Sequence, residues 1–589
     1  MTEKTPTNIK VQSFLSANIQ PHNTRATLID GIENRYRFIA SGITNTSSHA
    51  LLEDAFYGVQ DAVKQVSKIT SRDLLRSDGQ LITPNQTDGS GVDQFTATIS
   101  PIQPLKVVLM GLLDNVSLES ARKLANSTYT QIIDTFSLYH TTSIEKQLDN
   151  IARHRPDVII TAGGTDGGAQ KPILRSLETL KTILTLFPEG KRPEVLYAGN
   201  ADLAEKAIDL IQATTPIYTS LNIRPSLENE NIGPAENRFI DIMNGHFYRS
   251  INGIADLQDW SGGNIFPNSY AIGRATRLFS RIISENNPRS VLCVHFGSHS
   301  TIVASSYDSL LDLRTLPNIG SRNGFDQDFD QKDLEKIRNW TPFPVSIDDI
   351  NDYIQNLVLH PTTIASTPTE SALEQSIYRE VINKTVSSAS NSFNKRIGKI
   401  SPEYLPLFNL IIMSGDPLSS IPKLSTSLMT ILDAVQPTGF QQIILDKNNL
   451  MSLLGSAMQI NPDLVVQMIL DPIAFSNMGF IVSPVSHAKA GTPILRVRIA
   501  YETGHENTII FKKGNIYKIP LPVGQRAKIL LEPLNRADLG RGPGALLSSK
   551  MVVGGPFGII VDARGRPISL PKKQEERYAT LLGWNDNLA

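Results

Sequence analysis

The sequence predicts an α/β protein that ends in an all-β module, and three patterns carry that expectation. Apolar strands alternate with helical stripes from about residue 104 to 211, as a right-handed parallel α/β unit requires. The same alternation returns between residues 291 and 458. From about Pro472 the apolar period falls to two and turn residues recur every ten or so positions, the habit of a small antiparallel domain.

The elements follow in chain order. Strands are expected at 14–15, 26–29 and 36–40. The polar turn Asn18-Ile19-Gln20-Pro21-His22-Asn23 separates the first two, and Asp30-Gly31 marks the next turn. The apolar run 105–109 is a buried parallel strand. Ser117 is a candidate N-cap, after which Leu118, Ala121, Ala125, Thr128, Ile132 and Phe136 share one helical face. Val158-Ile159-Ile160 is a second strand, and Pro172 opens a helix whose buried stripe is Ile173, Leu177, Leu180 and Leu184. A strand at 195–198 leads into a helix at 203–211. Helical patterns fill 236–288, most clearly 271–283. Strands at 291–294 and 301–304 flank a loop, and 313–370 is a polar, poorly periodic excursion. A helix at 372–382, a strand at 410–413, a helix at 428–435, a strand at 442–445 and a helix at 450–458 complete this half. Short strands are then expected at 495–501, 508–511, 516–519, 528–531, 551–553 and 558–561.

Composition narrows the function. Lys plus Arg is 56 against 57 Asp plus Glu, a net charge of -1. That balance argues against a counterion-release grip on nucleic acid and against a polybasic membrane surface. The single cysteine, Cys293, excludes an internal disulfide framework and multi-cysteine metal sites. No apolar stretch approaches the ~18 residues of a bilayer span, and the polar first ten residues lack a signal-peptide core, so the expected compartment is the cytoplasm.

Gly163-Gly164-Thr165-Asp166-Gly167-Gly168 lies between a strand and a helix, where exposed N–H groups favour an anion. It lacks the Walker Lys-Ser/Thr, so both a phosphate-binding role and a plain structural turn stay open. His295 and His299 flank Phe296-Gly297-Ser298; without a helix or a nearby carboxylate they are expected to be ordinary loop histidines, and no metal site is expected. Asp326, Asp328 and Asp330 imitate the start of a calcium loop, but Gln331 and Ile337 stand where Gly and Glu are needed. A solvated acidic loop is the expectation there.

Taken together, Asp157-Val158-Ile159-Ile160-Thr161-Ala162 with the glycine run, Val195-Leu196-Tyr197-Ala198-Gly199-Asn200 and Ile431-Leu432-Asp433-Ala434-Val435-Gln436-Pro437-Thr438-Gly439 resemble the glutamate mutase L family of the actin-like (sugar kinase, Hsp70, actin) ATPase superfamily. The resemblance implies a two-lobed actin-like ATPase fold with an inserted parallel α/β unit. It implies a first lobe at 1–104, the inserted unit at 105–235, helical continuation of the first lobe at 236–290, a second lobe at 291–472 and the β-rich module at 473–589. It also implies two phosphate-binding hairpins, each with one magnesium-organising carboxylate. Aligned on Thr24-Arg25-Ala26, the first hairpin places Asn18 at the carboxylate, with Gln20, Pro21 and His22 replacing its Gly, Ser and Thr. The second reads His295-Phe296-Gly297-Ser298-His299-Ser300-Thr301, so His295 replaces the other carboxylate. The adenosine-side Gly-Gly becomes Gly415-Asp416, following Ser414.

Two lost carboxylates remove the charge a hard cation needs, and Pro21 offers a phosphate no N–H. Asp416 is expected to add a negative charge near the purine–ribose pocket. No catalytic residue is therefore expected, and no cofactor beyond a vestigial ATP–Mg site. The resemblance points to a non-catalytic subunit binding a protein partner, an intact paralogue or a cobalamin-dependent mutase. Alternatives are a divergent ATPase that reactivates an adenosylcobalamin-dependent mutase, and a structural actin-like subunit of an oligomer. The C-terminal module, carrying no catalytic constellation, is expected to be a docking surface whose removal leaves the two-lobed body folded.

Overall fold

A computed structural model of the chain describes residues 12–45, 54–137, 153–168, 170–282, 289–325 and 329–589. Two sheets of one design make two lobes. In the first, Phe14–Ile19, Asn23–Ile32 and Arg35–Asn45 form an antiparallel meander, and Gln94–Ile99 then Ile265–Pro267 continue it in parallel. In the second, Ser290–Phe296, Thr301–Tyr307 and Leu310–Leu316 form the meander, and Leu410–Ser414 then Gly439–Asp446 follow in parallel. Both sheets run third, second, first, fourth, fifth. This repeat is the two-lobed actin-like fold.

The strands nearest the middle are apolar throughout because both faces are covered; every residue of Phe14–Ile19 and Ser290–Phe296 is buried. Between the lobes the helices Asn268–Ile282 and Leu450–Ala457 cross in close contact. Gly455 permits it, since a Cβ there would sit 1.8 Å from the Ala271 carbonyl oxygen.

Between the fourth and fifth strands of the first lobe the chain builds a separate all-parallel sheet. Its order is Thr130–Ser137, Leu105–Gly111, Val158–Thr161, Glu194–Tyr197, Ile217–Thr219. The helix Glu119–Asn126 of this unit packs on the Leu310–Leu316 edge strand of the second lobe.

The C-terminal β segment is divided between two sheets. Glu506–Lys512, Pro493–Tyr501, Arg526–Pro533 and Leu547–Val553 form a four-stranded antiparallel sheet. Ser476–Ser483, Ile559–Asp562 and Ile516–Ile519 instead extend the second lobe's sheet to eight strands. A terminal helix, Gln574–Leu588, packs against Leu424–Val435. Under it, Asp433 takes Arg379 at 2.7 Å and Arg564 at 2.6 Å, while Asp562 takes Arg564 at 2.9 Å and Arg566 at 2.8 Å. Arg564 also lies over the Trp584 ring.

Several local expectations are corrected. The helical face drawn through Phe136 stops at Asn126, and the β-branched Thr130, Ile132, Ile133 and Thr135 form a strand instead. Ser117 is not the N-cap; it sits in a π-turn, accepting from the Leu112 and Leu113 amides at 3.2 Å. The first-lobe turn falls at Glu33-Asn34, both at positive φ, rather than at Asp30-Gly31. The polar excursion contains helices Gln331–Trp340 and Ile347–Leu359, each opened by a capping box. Asp330 is the first of those caps, while Asp326, Asp328 and Ile283 lie outside the described residues. Among the described residues no helix is long and apolar enough to cross a membrane.

Candidate functional site

The two first-and-second-strand hairpins face each other across a cleft of about 840 Å³. Gln20, His22, Asn23 and Arg25 line it from the first lobe, Ser298, Arg322 and Asp416 from the second. The first hairpin turns tightly, with the Gln20 amide donating to the Asn23 carbonyl at 2.9 Å. The second is closed by the Gly297 amide donating to Ser300 at 3.0 Å.

Asp416 ties the lobes together. Arg25 Nη2 donates to its Oδ1 at 2.7 Å, Asn449 Nδ2 to the same oxygen at 2.6 Å, and Asn23 Nδ2 to Oδ2 at 2.8 Å. Burial alone would raise the Asp416 carboxyl, but Arg25, Asn23 and His295 outweigh it and hold the group below the usual carboxylate range. The free negative charge expected at this position is therefore a neutralised one. Gly415 makes the geometry possible: its φ is 110°, and a Cβ would lie 1.9 Å from the Phe296 carbonyl oxygen.

Beneath the clasp runs a chain of buried polar groups. His295 Nδ1 lies 3.1 Å from Ser414 Oγ, which donates to Asp446 Oδ2 at 2.9 Å. Asp446 also accepts the Leu450 and Met451 amides at 2.7 and 2.9 Å, capping the interlobe helix. The residue types match a nucleophilic triad but the order does not, because the carboxylate holds the serine and not the histidine. Burial lowers His295 to about 4, so it stays neutral. Burial, helped by His299 and Arg322, lowers His22 to about 4 as well.

The hairpin residues expected at the site are brought together. Asn18 is buried opposite Arg25, its amide donating to Ser452 Oγ at 3.4 Å. Thr24 is buried beside it, and Thr301 Oγ1 donates to the Ile319 carbonyl at 2.7 Å. Gly297, Ser298, Ser300, Ser414 and Gly415 line the opposing wall or support it. His299 faces the Ile102 carbonyl at 3.0 Å and shares no partner with His295. Five side chains on the cleft floor carry a buried polar atom without a protein partner: Gln20 Nε2, His22 Nδ1, Asn23 Oδ1, Arg25 Nε and Ser298 Oγ.

Gly163, Gly164, Thr165, Asp166, Gly167 and Gly168 lie elsewhere, at the carboxyl edge of the inserted parallel sheet. The Asp166, Gly167 and Gly168 amides already donate to Pro225 O, Asp202 Oδ2 and Thr165 O. Asp166 itself accepts from the Ala201 amide and Asn222, so the loop stitches neighbouring loops together.

Asn449, Asp446 and the Arg322–Glu374 pair (2.8 Å) were not anticipated. Each comes to the cleft from a distant segment, and only the sheet order places it there. Among the described residues no group of three or more His, Cys, Asp and Glu side chains is arranged to hold a metal ion.

The family model described as "MutL protein" matches residues 14–472. The curated Protein MutL of Clostridium tetanomorphum is 23% identical over 206 residues, 35% of this chain and 42% of that protein. The chain thus spans less than half the length of that relative. Solved structures with similarity include a nucleotide-free acetone carboxylase (9% identity, 85% of this chain and 81% of the other, TM-score 0.31). Gluconate kinase from Lactobacillus acidophilus has 8% identity, 80% and 93% coverage and TM-score 0.31. Xylulose kinase from Bifidobacterium adolescentis has 10% identity, 80% and 96% coverage and TM-score 0.27.

Proposed function

For a chain that belongs to the MutL protein family, we propose a non-catalytic role: an actin-like subunit that binds and assembles with a protein partner. One observation carries the reading. Both hairpin positions where the superfamily keeps a magnesium-organising carboxylate hold Asn18 and His295, and the two carboxylates nearest them are already consumed. Asp416 is engaged on both oxygens by the interlobe clasp, and Asp446 caps a helix. This donor set does not suit a Mg²⁺–nucleotide. Phosphoryl transfer depends on positioning and charge stabilisation, and these residues are poorly suited to either.

The partner in this reading is an adenosylcobalamin-dependent mutase or an intact paralogue, in the cytoplasm. Purified chain with Mg-ATP is expected to release no phosphate above background, and to form a complex with such a mutase by size exclusion with light scattering. Phosphate release that disappears in Thr301→Val would overturn the non-catalytic half. One observation favours the second reading, a divergent ATPase that reactivates such a mutase: the five unpartnered polar atoms on the cleft floor leave hydrogen-bonding capacity for a ligand.

A further inference from the structure

The four-stranded C-terminal sheet has one face in the core and one in solvent. Val497, Ile499, Ile529, Leu531 and Val552 point inward and are buried. On the outer face the three strands Pro493–Tyr501, Arg526–Pro533 and Leu547–Val553 present Arg496, Arg498, Arg526 and Lys528 against one carboxylate, Glu532. Glu532 is held by Arg496 at 2.8 Å. Arg526 and Lys528 have no ion-pair partner among the described residues. These outward side chains therefore carry a net charge of +3 in a chain whose total is -1.

The edge of this sheet supplies an independent observation. Leu547–Val553 is a seven-residue edge strand with a single charge, Lys550, and no proline. Among the described residues none of its backbone groups bonds outside its own sheet. Met551 is 59% exposed and Val553 41% exposed. Its pairing with Arg526–Pro533 is irregular between Ile529 and Leu531, but from Lys550 to Val553 it is regular, and among the described residues no further strand pairs with that outer edge, which proteins ordinarily cover.

We propose that this edge is the docking site for an extended, acidic segment of a partner protein, which adds a strand beside Leu547–Val553. Main-chain hydrogen bonds supply affinity and alternate side chains supply selectivity. The register fixes the chemistry wanted. Met551 pairs with Lys528 and Val553 with Arg526, so the outward side chains of the added strand lie beside Met551 and Val553 and in line with Lys528 and Arg526. Carboxylates at those outward positions sit two strand spacings, about 9.6 Å, from the two cations, a gap that long side chains span, and the alternate apolar side chains turn to the other face, that of Val552. A nucleic acid fits less well, because these outward positions offer no aromatic ring for base stacking.

The proposal rests on the partner-binding reading above and names the chemistry of the partner. The probe is a fluorescein-labelled decapeptide alternating Glu and Val, titrated against the full chain by anisotropy. The expected result is micromolar binding that weakens with salt, falls at least tenfold in R526E/K528E, and is lost when alternate peptide nitrogens are methylated. No binding, equal binding of a Lys–Val peptide, an unaffected R526E/K528E, or tighter binding of a dT10 oligonucleotide or of phosphatidylserine vesicles would each overturn it. ATP turnover would end the non-catalytic reading without touching this result. A mutase complex that forms although the peptide does not bind would end only the edge assignment.

Discussion

At the residue scale the cleft shows how buried polar groups are kept neutral or paired. His22 and His295 are lowered to about 4, chiefly by burial, whereas an unfolded histidine titrates near 6.5. Between those values the unfolded chain binds protons that the folded chain refuses, so stability is complete above pH 6.5 and falls as pH drops. Each histidine should withdraw roughly 2 kcal/mol between pH 7 and 5. Asp312 acts in the opposite sense: burial raises it to about 6, so the folded state gains protons below that pH. Comparing His295→Asn with the unaltered chain cancels that background. The variant's urea midpoint should fall less between pH 7 and 5, by an amount worth about 2 kcal/mol. Identical pH slopes would mean that His295 takes up its proton in the fold as readily as in the unfolded chain.

At the element scale, the C-terminal segment behaves as part of the second lobe as much as a module. Three of its strands finish the lobe's sheet, and Arg564 and Arg566 reach buried carboxylates beneath the terminal helix. Removing 473–589 would strip those strands away and leave Asp433 with Arg379 alone. The truncated chain is therefore expected to be insoluble, against the sequence-based expectation of a folded body. Arg564→Ala alone should cost about 3 kcal/mol, because two buried carboxylates each lose one of two cations, Asp433 keeping only Arg379 and Asp562 only Arg566; chemical denaturation measures it. The sequence does display these strands individually, since their period-two alternation is local. What it does not display is which sheet each strand joins, because pairing depends on edges far away in the chain. The helix drawn through Phe136 failed for a related reason: spacing at 118, 121, 125, 128, 132 and 136 satisfies a helical stripe even though Thr130–Ser137 pairs as a strand. At the cleft, the hairpin substitutions Asn18, Gln20 and His295 were legible because a local motif frames them. Asn449 and Arg322 were not, because no local pattern marks a residue delivered by tertiary folding.

At the scale of the whole molecule, two further contacts join the lobes beside the crossed helices Asn268–Ile282 and Leu450–Ala457. One is the clasp of Arg25 and Asn23 on Asp416 at the cleft floor. The other is the inserted α/β unit, whose helix Glu119–Asn126 packs on Leu310–Leu316, bringing Lys123 and Glu230 near Asp312. An actin-like body that works by nucleotide-driven closure needs a site whose occupancy favours one lobe arrangement over another. Here the closing contacts are made by the protein itself, so the lobes should stay together with or without nucleotide. Small-angle scattering is expected to give the same radius of gyration with and without Mg-ATP, and amide exchange in 14–32 and 410–419 should be unchanged. Arg25→Ala should loosen the clasp: it leaves Asp416 partly buried without its cation, at a cost on the order of 3 kcal/mol, and exchange in those two segments should rise together. Lys123→Ala should perturb exchange near Leu310–Leu316 and spare the cleft. A contraction on adding Mg-ATP, abolished by Arg25→Ala, would show that the clasp opens and that nucleotide still controls the lobes.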